Sequence, residues 1–488
     1  MVPTYEERGN KNYRVIATRF RSKSDLDDFS IRIGLNPGAL TNLTTEVTFP
    51  ELSIRNKKPA KTKRSNIGNP QASTFIGMPY FVNEENKPYV MIKLYFDEEM
   101  YTAEDISELM EQKITDSTKS AWYPVLDTKG KAGCLRIIGG ETETHFPVYI
   151  VSKGRYDVCI TSYFLTLSEV KHYVVVEEFE YEKYLSTVGQ SPFTTVITIP
   201  QRFFDEYDTL CDYENDEGEV RKTGPGAARN FAIWHSIQNG AKACHLLDDN
   251  LHGMYMLNEN LRMKVRTPAM IRAMEEHFMA FDNVALAGPN YRSFASPDAK
   301  RPSHIFNTRI YSWIIFRNDL YEKGFKFRGR YNEDTILSLD VLTAGYSTIQ
   351  WNMFLQHKMG TQGLKGGNTE EFYNEEGTLR KSQMLVDTYP QYAKLVFKFQ
   401  RYHHTVDYSP FANNDPQFHP ERLKDGYNDF GMYIVKITPE EDHNKNPQAD
   451  TKTELERNHP RSEAVYLFDG TRWQGDFDLI KDFKEKGY

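Results

Sequence analysis

The chain has 488 residues, 39% hydrophobic and 13% aromatic, enough for roughly two to four domains with sizeable cores. No apolar run approaches the roughly 20 residues of a membrane span, the start Met1-Val2-Pro3-Thr4-Tyr5 lacks a signal pattern, and Cys134, Cys159, Cys211 and Cys244 show no Cys-x-x-Cys spacing; these features speak against a membrane protein, a zinc site or a disulfide scaffold and point to a reducing cytoplasm. A net charge of -8 excludes a surface uniformly coated for nucleic acid but leaves room for local basic faces.

Residues Tyr13 to Phe20 form an apolar, β-branched segment, and Leu26, Phe29 and Ile33 then recur at helical spacing between a Ser/Asp cap and Gly34. The same strand-then-helix order returns in Tyr89 to Phe96 and Thr102 to Met110. Two such units predict a small N-terminal α+β module over residues 1–145. Between them, residues 36–88 read as a long insertion. It carries a basic run in which Lys57, Lys58, Lys61, Lys63 and Arg64 are candidate phosphate contacts, although a solvated loop would look the same.

From Phe146 the pattern becomes an alternation of strands and helices. Val148 to Val151 is a strand that stops at Ser152-Lys153-Gly154-Arg155, Thr166 is a cap before a short helix at 167–170, and His172 to Glu177 and Thr195 to Pro200 are further strands. A helix follows Gly224-Pro225-Gly226 and bears Arg229 and Asn230 in its first turn. The apolar run Ala243 to Leu247 then ends abruptly in Asp248-Asp249-Asn250. Ligands of such sheets gather at the carboxyl ends of the strands. Ser152, Lys153, Gly154, Arg155, Glu177, Arg229, Asn230 and Asp248 are therefore candidates for a nucleotide donor, and Asp248 with Asp249 for a divalent cation on its diphosphate.

Downstream, 268–282 reads as helix, 284–288 and 311–316 as strands, and Arg292 and Arg301 lie among aromatics in a segment suited to nucleic acid. Asn332-Glu333-Asp334 opens another helix. Glu333 or Asp334 is placed to take an acceptor hydroxyl's proton, while an acidic helix start held by the dipole explains the same residues. His357, after the strand at 348–354, is a candidate third metal ligand, and Lys365 lies in a Gly/Lys-rich loop suited to closing over a diphosphate. Residues 389–404 read as helix, and 411–488 as a C-terminal appendage with strands at 432–437 and 464–468.

Lys153-Gly154-Arg155, Arg229-Asn230, Leu247-Asp248-Asp249-Asn250, Asn332-Glu333-Asp334 and Gln356-His357-Lys358, in this order, resemble the TET/JBP-associated glycosyltransferases. That family is found largely in bacteriophages and includes a relative of the base J glucosyltransferase. The resemblance covers residues 146–410. It implies an α/β, GT-A-like open, mostly parallel sheet with helices on both faces. It also implies Mn²⁺ or Mg²⁺ at Asp248, Asp249 and His357, a UDP-sugar donor, and inverting transfer of glucose or arabinose to 5-hydroxymethylcytosine in double-stranded phage DNA in the host cytoplasm. A GT-A enzyme with a glycan or protein acceptor is the alternative.

Overall fold

The computed structural model describes residues 12–57, 72–83, 88–125, 135–210, 225–296, 299–358, 377–398, 401–437, 462–468 and 473–474. They fall into two compact units. Residues 12–57 and 88–125 belong to the first, while 72–83 and everything described from 135 onward belong to the second.

The first unit contains β1 (Tyr13–Phe20), α1 (Lys23–Arg32), β2 (Thr44–Phe49), β3 (Ser53–Asn56), β4 (Val90–Asp97), α2 (Ala103–Leu109) and β5 (Ser120–Tyr123). Its sheet runs β3-β2-β4-β1-β5. Both helices start with the same reciprocal cap, Ser22 with Asp25 and Thr102 with Asp105, in which each side chain bonds the other residue's backbone N–H. Leu26 and Phe29 on α1 and Ile106 on α2 bury into one core with Ile16, Phe20, Ile92 and Leu94 of the central strands. The repeated strand-helix pattern thus becomes one two-layer α+β module.

The second unit begins with β6 (Leu135–Gly139), β7 (Val148–Val151), α3 (Ile160–Leu167), β8 (His172–Val176), α4 (Tyr181–Leu185), β9 (Thr194–Thr198), α5 (Arg202–Asp205) and α6 (Gly226–Gln238). It continues through β10 (Ala243–Asp248), β11 (Leu251–Asn258), β12 (Leu261–Val265), α7 (Ala269–Met279), β13 (Val284–Tyr291), β14 (His304–Phe306), β15 (Trp313–Arg317), α8 (Asp319–Glu322), α9 (Glu333–Thr343) and β16 (Ser347–Lys358). Last come α10 (Gly377–Thr388), β17 (Ala393–Lys398), β18 (Arg401–Val406), β19 (Met432–Ile437), β20 (Ser462–Phe468) and β21 (Trp473–Gln474).

One open sheet runs β21-β20-β19-β6-β12-β11-β16-β13-β15-β10-β7-β8-β9, with β14 added on β16. It has the expected open α/β architecture. The run β10-β7-β8-β9 is parallel throughout. Beyond it the sheet is mixed, with β13–β16 and β6–β12 parallel and most other neighbours antiparallel.

Several local expectations need correction. The short helix lies at Ile160–Leu167, ahead of the stretch expected, so Thr166 sits in its last turn. Residues 389–404, expected as helix, fold into the β17–β18 hairpin, with Leu395 opposite His404 and Phe397 opposite Tyr402. Their apolar residues fit both periods, and cross-strand pairing decides between them. Residues 135–139, counted by sequence in the N-terminal module, form an inner strand of the large sheet. Met432 to Lys436 of the expected appendage pair with them along their whole length.

Candidate active site

Strand direction brings the functional candidates to one rim. Strands β7, β10, β13 and β16 all end there, and β15, antiparallel to β10, starts there, with Asp248 N–H donating to Ser312 C=O at 2.8 Å. Ser152, Asp248, Tyr291, Ser312 and Lys358 therefore share one edge.

Arg229 is the hub. Pro225 precedes α6, and Gly226 is required at its first position because a Cβ there would lie 2.0 Å from the Tyr207 hydroxyl, which itself donates to Gly329 C=O at 2.7 Å. One turn on, the Arg229 guanidinium, 2% exposed, donates to Asp248 Oδ1 and to Glu333 Oε1, each at 2.6 Å. It lies 5.2 Å from the Phe327 ring centre. Asn230 beside it braces rather than reaches out: its amide bonds both the C=O and the N–H of Phe327, at 2.9 and 2.8 Å.

Asp248 carries a second cation. Lys358 Nζ donates to Asp248 Oδ2 at 2.6 Å and to Ser312 Oγ at 2.8 Å, and Ser312 Oγ also lies 2.6 Å from the Tyr291 hydroxyl. The Ser312 backbone is left-handed, φ 62°, a conformation that costs a non-glycine residue about 1 kcal/mol or more. Burial alone would raise the Asp248 pKa, but Lys358 and Arg229 outweigh it and hold the carboxylate well below its ordinary range.

Asp249 faces the other way, into the protein. Its Oδ1 accepts from Arg155 at 2.5 Å and its Oδ2 from Ser152 Oγ at 2.7 Å, and burial pushes its pKa up against these two partners. The Tyr184 hydroxyl bonds both Ser152 Oγ and Arg155 N–H, while Gly154, at φ 65°, donates its N–H to Glu180 Oε1 at 2.8 Å. Ser152, Gly154 and Arg155 thus form a braced turn, with Lys153 and Glu177 paired at 3.1 Å on its more open side.

The two acids of α9 separate by role. Asn332, left-handed at φ 55°, turns the chain into the helix and donates to Lys381 C=O at 2.7 Å. Glu333 points to Arg229, and burial raises its pKa although Arg229 pulls it down. Asp334 is held through one oxygen, Oδ1, which accepts from Thr335 N–H at 2.6 Å. Its charge acts on Arg309, Tyr291, Tyr311 and Tyr408. Arg309 belongs to the aromatic and basic segment that the sequence marked for nucleic acid, whereas Tyr311 and Tyr408 were not singled out; Arg309 and Tyr311 lie between β14 and β15, and Tyr408 in the loop after β18.

Residues 146–367 match the model of the TET-associated glycosyltransferase family. This part of the chain is a glycosyltransferase domain of that family. No curated protein matches the chain. Within the glycosyltransferase domain, the expected donor candidates Ser152, Arg155, Arg229 and Asp248 and the acids Glu333 and Asp334 lie at or behind one rim.

His357 requires a correction. It precedes Lys358 on β16, and successive residues of a strand face opposite sides. Lys358 takes the Asp248 side, so His357 lies on the reverse face, its ring centre 5.2 Å from His252 and 5.8 Å from Tyr255. Arg292 stacks on the same Tyr255 at 4.8 Å. Among the described residues no three metal-ligating side chains converge. A divalent cation can manage with one or two carboxylates and donor phosphates, but both Asp249 oxygens are turned inward and both Asp248 oxygens are held by cations. A metal ion there would meet Lys358 and Arg229 as like charges at contact distance. The described side chains therefore do not fit the expected ion.

Lys57 is described in the first unit, at the end of the β2–β3 hairpin, with its N–H donated to Leu43 C=O. Lys58, Lys61, Lys63, Arg64 and Lys365 lie outside the described residues. Arg301 lies in the loop before β14, partly buried. No helix among the described residues is long and apolar enough to cross a membrane.

Proposed function

We propose that the domain transfers a sugar from a nucleoside diphosphate donor, UDP-linked, to the hydroxyl of 5-hydroxymethylcytosine in DNA with inversion at the sugar carbon. The observation that carries this reading is the bridge from Arg229 to both Asp248 and Glu333, which ties the donor rim to the start of α9. The acceptor oxygen attacks the anomeric carbon, the bond to the donor's β-phosphate oxygen breaks, and the nucleoside diphosphate departs with the bonding electrons.

Asp334 receives the acceptor's proton. Glu333 carries the ion pair with Arg229 through Oε1, whereas Asp334 accepts only from its neighbour Thr335 and makes no ion pair among the described residues. Tyr291 and Tyr408, both partly exposed and close enough to feel the Asp334 charge, offer aromatic surface to a base drawn out of the duplex, the usual way chemistry on a base is done. Family membership supports the transferase and its link to modified DNA.

The test is incubation of the full chain with hydroxymethylated and unmodified duplexes and a panel of nucleotide sugars, followed by nucleoside mass spectrometry. A hexose or pentose mass gain on hydroxymethylcytosine alone is expected. Transfer to glycan or protein acceptors with none to any duplex would overturn the DNA assignment and favour the alternative acceptor.

A further inference from the structure

A departing diphosphate needs positive charge where its own charge develops. At this rim that charge must come from somewhere other than an ion coordinated by Asp248, Asp249 and His357, since the described side chains do not form that shell.

We propose that Lys358 is the diphosphate-binding cation of this transferase, and that donor binding consequently needs no divalent ion. The proposal rests on the nucleotide-donor reading above. Lys358 ends β16 beside the end of β10, the edge at which ligands of open α/β sheets sit. Its side chain is 24% exposed, against 2% for Arg229, which is locked between two carboxylates behind it. An ammonium has three donors. Described residues use two, Asp248 Oδ2 and Ser312 Oγ, which leaves one N–H of an ammonium at the rim for a ligand. The same two bonds fix the position of a side chain that is otherwise flexible. Asp248 has a defined part in this arrangement: it holds the ammonium in place through Oδ2 while its Oδ1 is bound to Arg229.

The experiment is calorimetric titration of the full chain with UDP, CDP, GDP, ADP and TDP in EDTA and again in Mn²⁺, repeated with Lys358→Gln and Lys358→Arg. At least one diphosphate should bind wild type with affinities within about threefold in the two buffers. Lys358→Gln should weaken that diphosphate at least tenfold while leaving the corresponding nucleoside unchanged, and Lys358→Arg should recover part of the loss. Binding that disappears in EDTA and returns with Mn²⁺ overturns the proposal, whether or not the variants fold. Equal weakening of nucleoside and diphosphate in a folded Lys358→Gln also overturns it. If no diphosphate binds in either buffer, the donor reading itself fails and takes this proposal with it.

Discussion

His245 and Asp248 stand three residues apart on β10, and each anchors a charged cluster, yet the two clusters differ in what they leave unused. Around His245 every described polar atom is matched. Trp313 Nε1, which can only donate, bonds His245 Nδ1 at 3.0 Å, so the ring proton sits on Nε2 and is donated to Glu275 Oε1 at 2.9 Å. Glu275 also accepts the N–H groups of His145 and Phe146, at 2.6 and 3.0 Å, and both His245 and Glu275 are fully buried. The Asp248 cluster reaches the rim, with Lys358 and Asp248 about a fifth to a quarter exposed, Arg229 Nε unmatched among the described residues, and Asp334 engaged through one oxygen. Buried charge alone does not mark a site, because a saturated cluster is a brace. Capacity left over at an accessible edge separates the second cluster from the first.

Replacing Arg229 should have the largest effect, because it removes the hub of the open cluster. Arg229→Met is expected to reduce transfer by roughly a thousandfold or more, the scale of losing a preorganised charge at a reacting centre. It should also lower stability by about 3–5 kcal/mol, since Asp248 and Glu333 lose a buried partner. Product mass spectrometry and urea unfolding measure the two effects. Activity within tenfold of wild type would make this cluster a brace like the other. Asp334→Asn should follow, with kcat down by roughly 10²–10⁴ and nucleotide affinity unchanged; a matching loss in Glu333→Gln but not in Asp334→Asn would reverse the assignment.

The saturated cluster predicts the opposite pattern. Glu275→Ala strands two backbone N–H groups and the His245 ring, a loss of about 3–5 kcal/mol, while diphosphate affinity of the folded fraction stays at the wild-type value. Smaller again is the acid response of the buried histidines. Burial depresses His172 and His277 to about 4, whereas the unfolded chain takes up these protons near 6.5. The unfolded state therefore binds more protons between these values, and stability present above about pH 6.5 is lost as pH falls toward 4. The cost is on the order of 2 kcal/mol per histidine at pH 5. Thermal unfolding midpoints recorded from pH 7 to 4.5 should fall through that window; a flat profile would mean that these rings are protonated in the fold.

Much of this was legible from residue order alone. The apolar run that stops at Asp248-Asp249 does end at a sheet edge, and the helical spacing of Leu26, Phe29 and Ile33 marked the first helix of the first unit, although its cap is Ser22. Pairings between distant residues were not legible. Arg229 and Glu333 are 104 positions apart, and nothing local says that one guanidinium joins a strand end to a helix start. The β11–β12 hairpin went unforeseen because its turn, Glu259-Asn260 with φ 49° and 63°, lacks the glycine that usually signals such a turn. Strand β19 depends on β6, almost 300 residues earlier, for its register. Most instructive is the end of β16, where choosing between His357 and Lys358 needs the parity of the strand, which the sequence carries only once its partner is known.

That parity yields the smallest predicted effect. The His357 ring lies on the reverse face, and burial, with Arg292, His252 and Lys264 nearby, depresses its pKa to about 4. It is therefore neutral at physiological pH and could ligate a metal if it faced one, so its chemistry does not exclude it; its position on the strand does. His357→Ala should leave kcat and diphosphate affinity within about threefold of wild type in both EDTA and Mn²⁺, the range for a substitution that removes partly exposed ring contacts and no ligand contact. The neighbouring Lys358→Gln, one residue along the same strand, should lose diphosphate affinity at least tenfold. A hundredfold loss in His357→Ala that excess Mn²⁺ restores would show that the end of β16 rotates when the donor binds, placing the histidine rather than the lysine against Asp248.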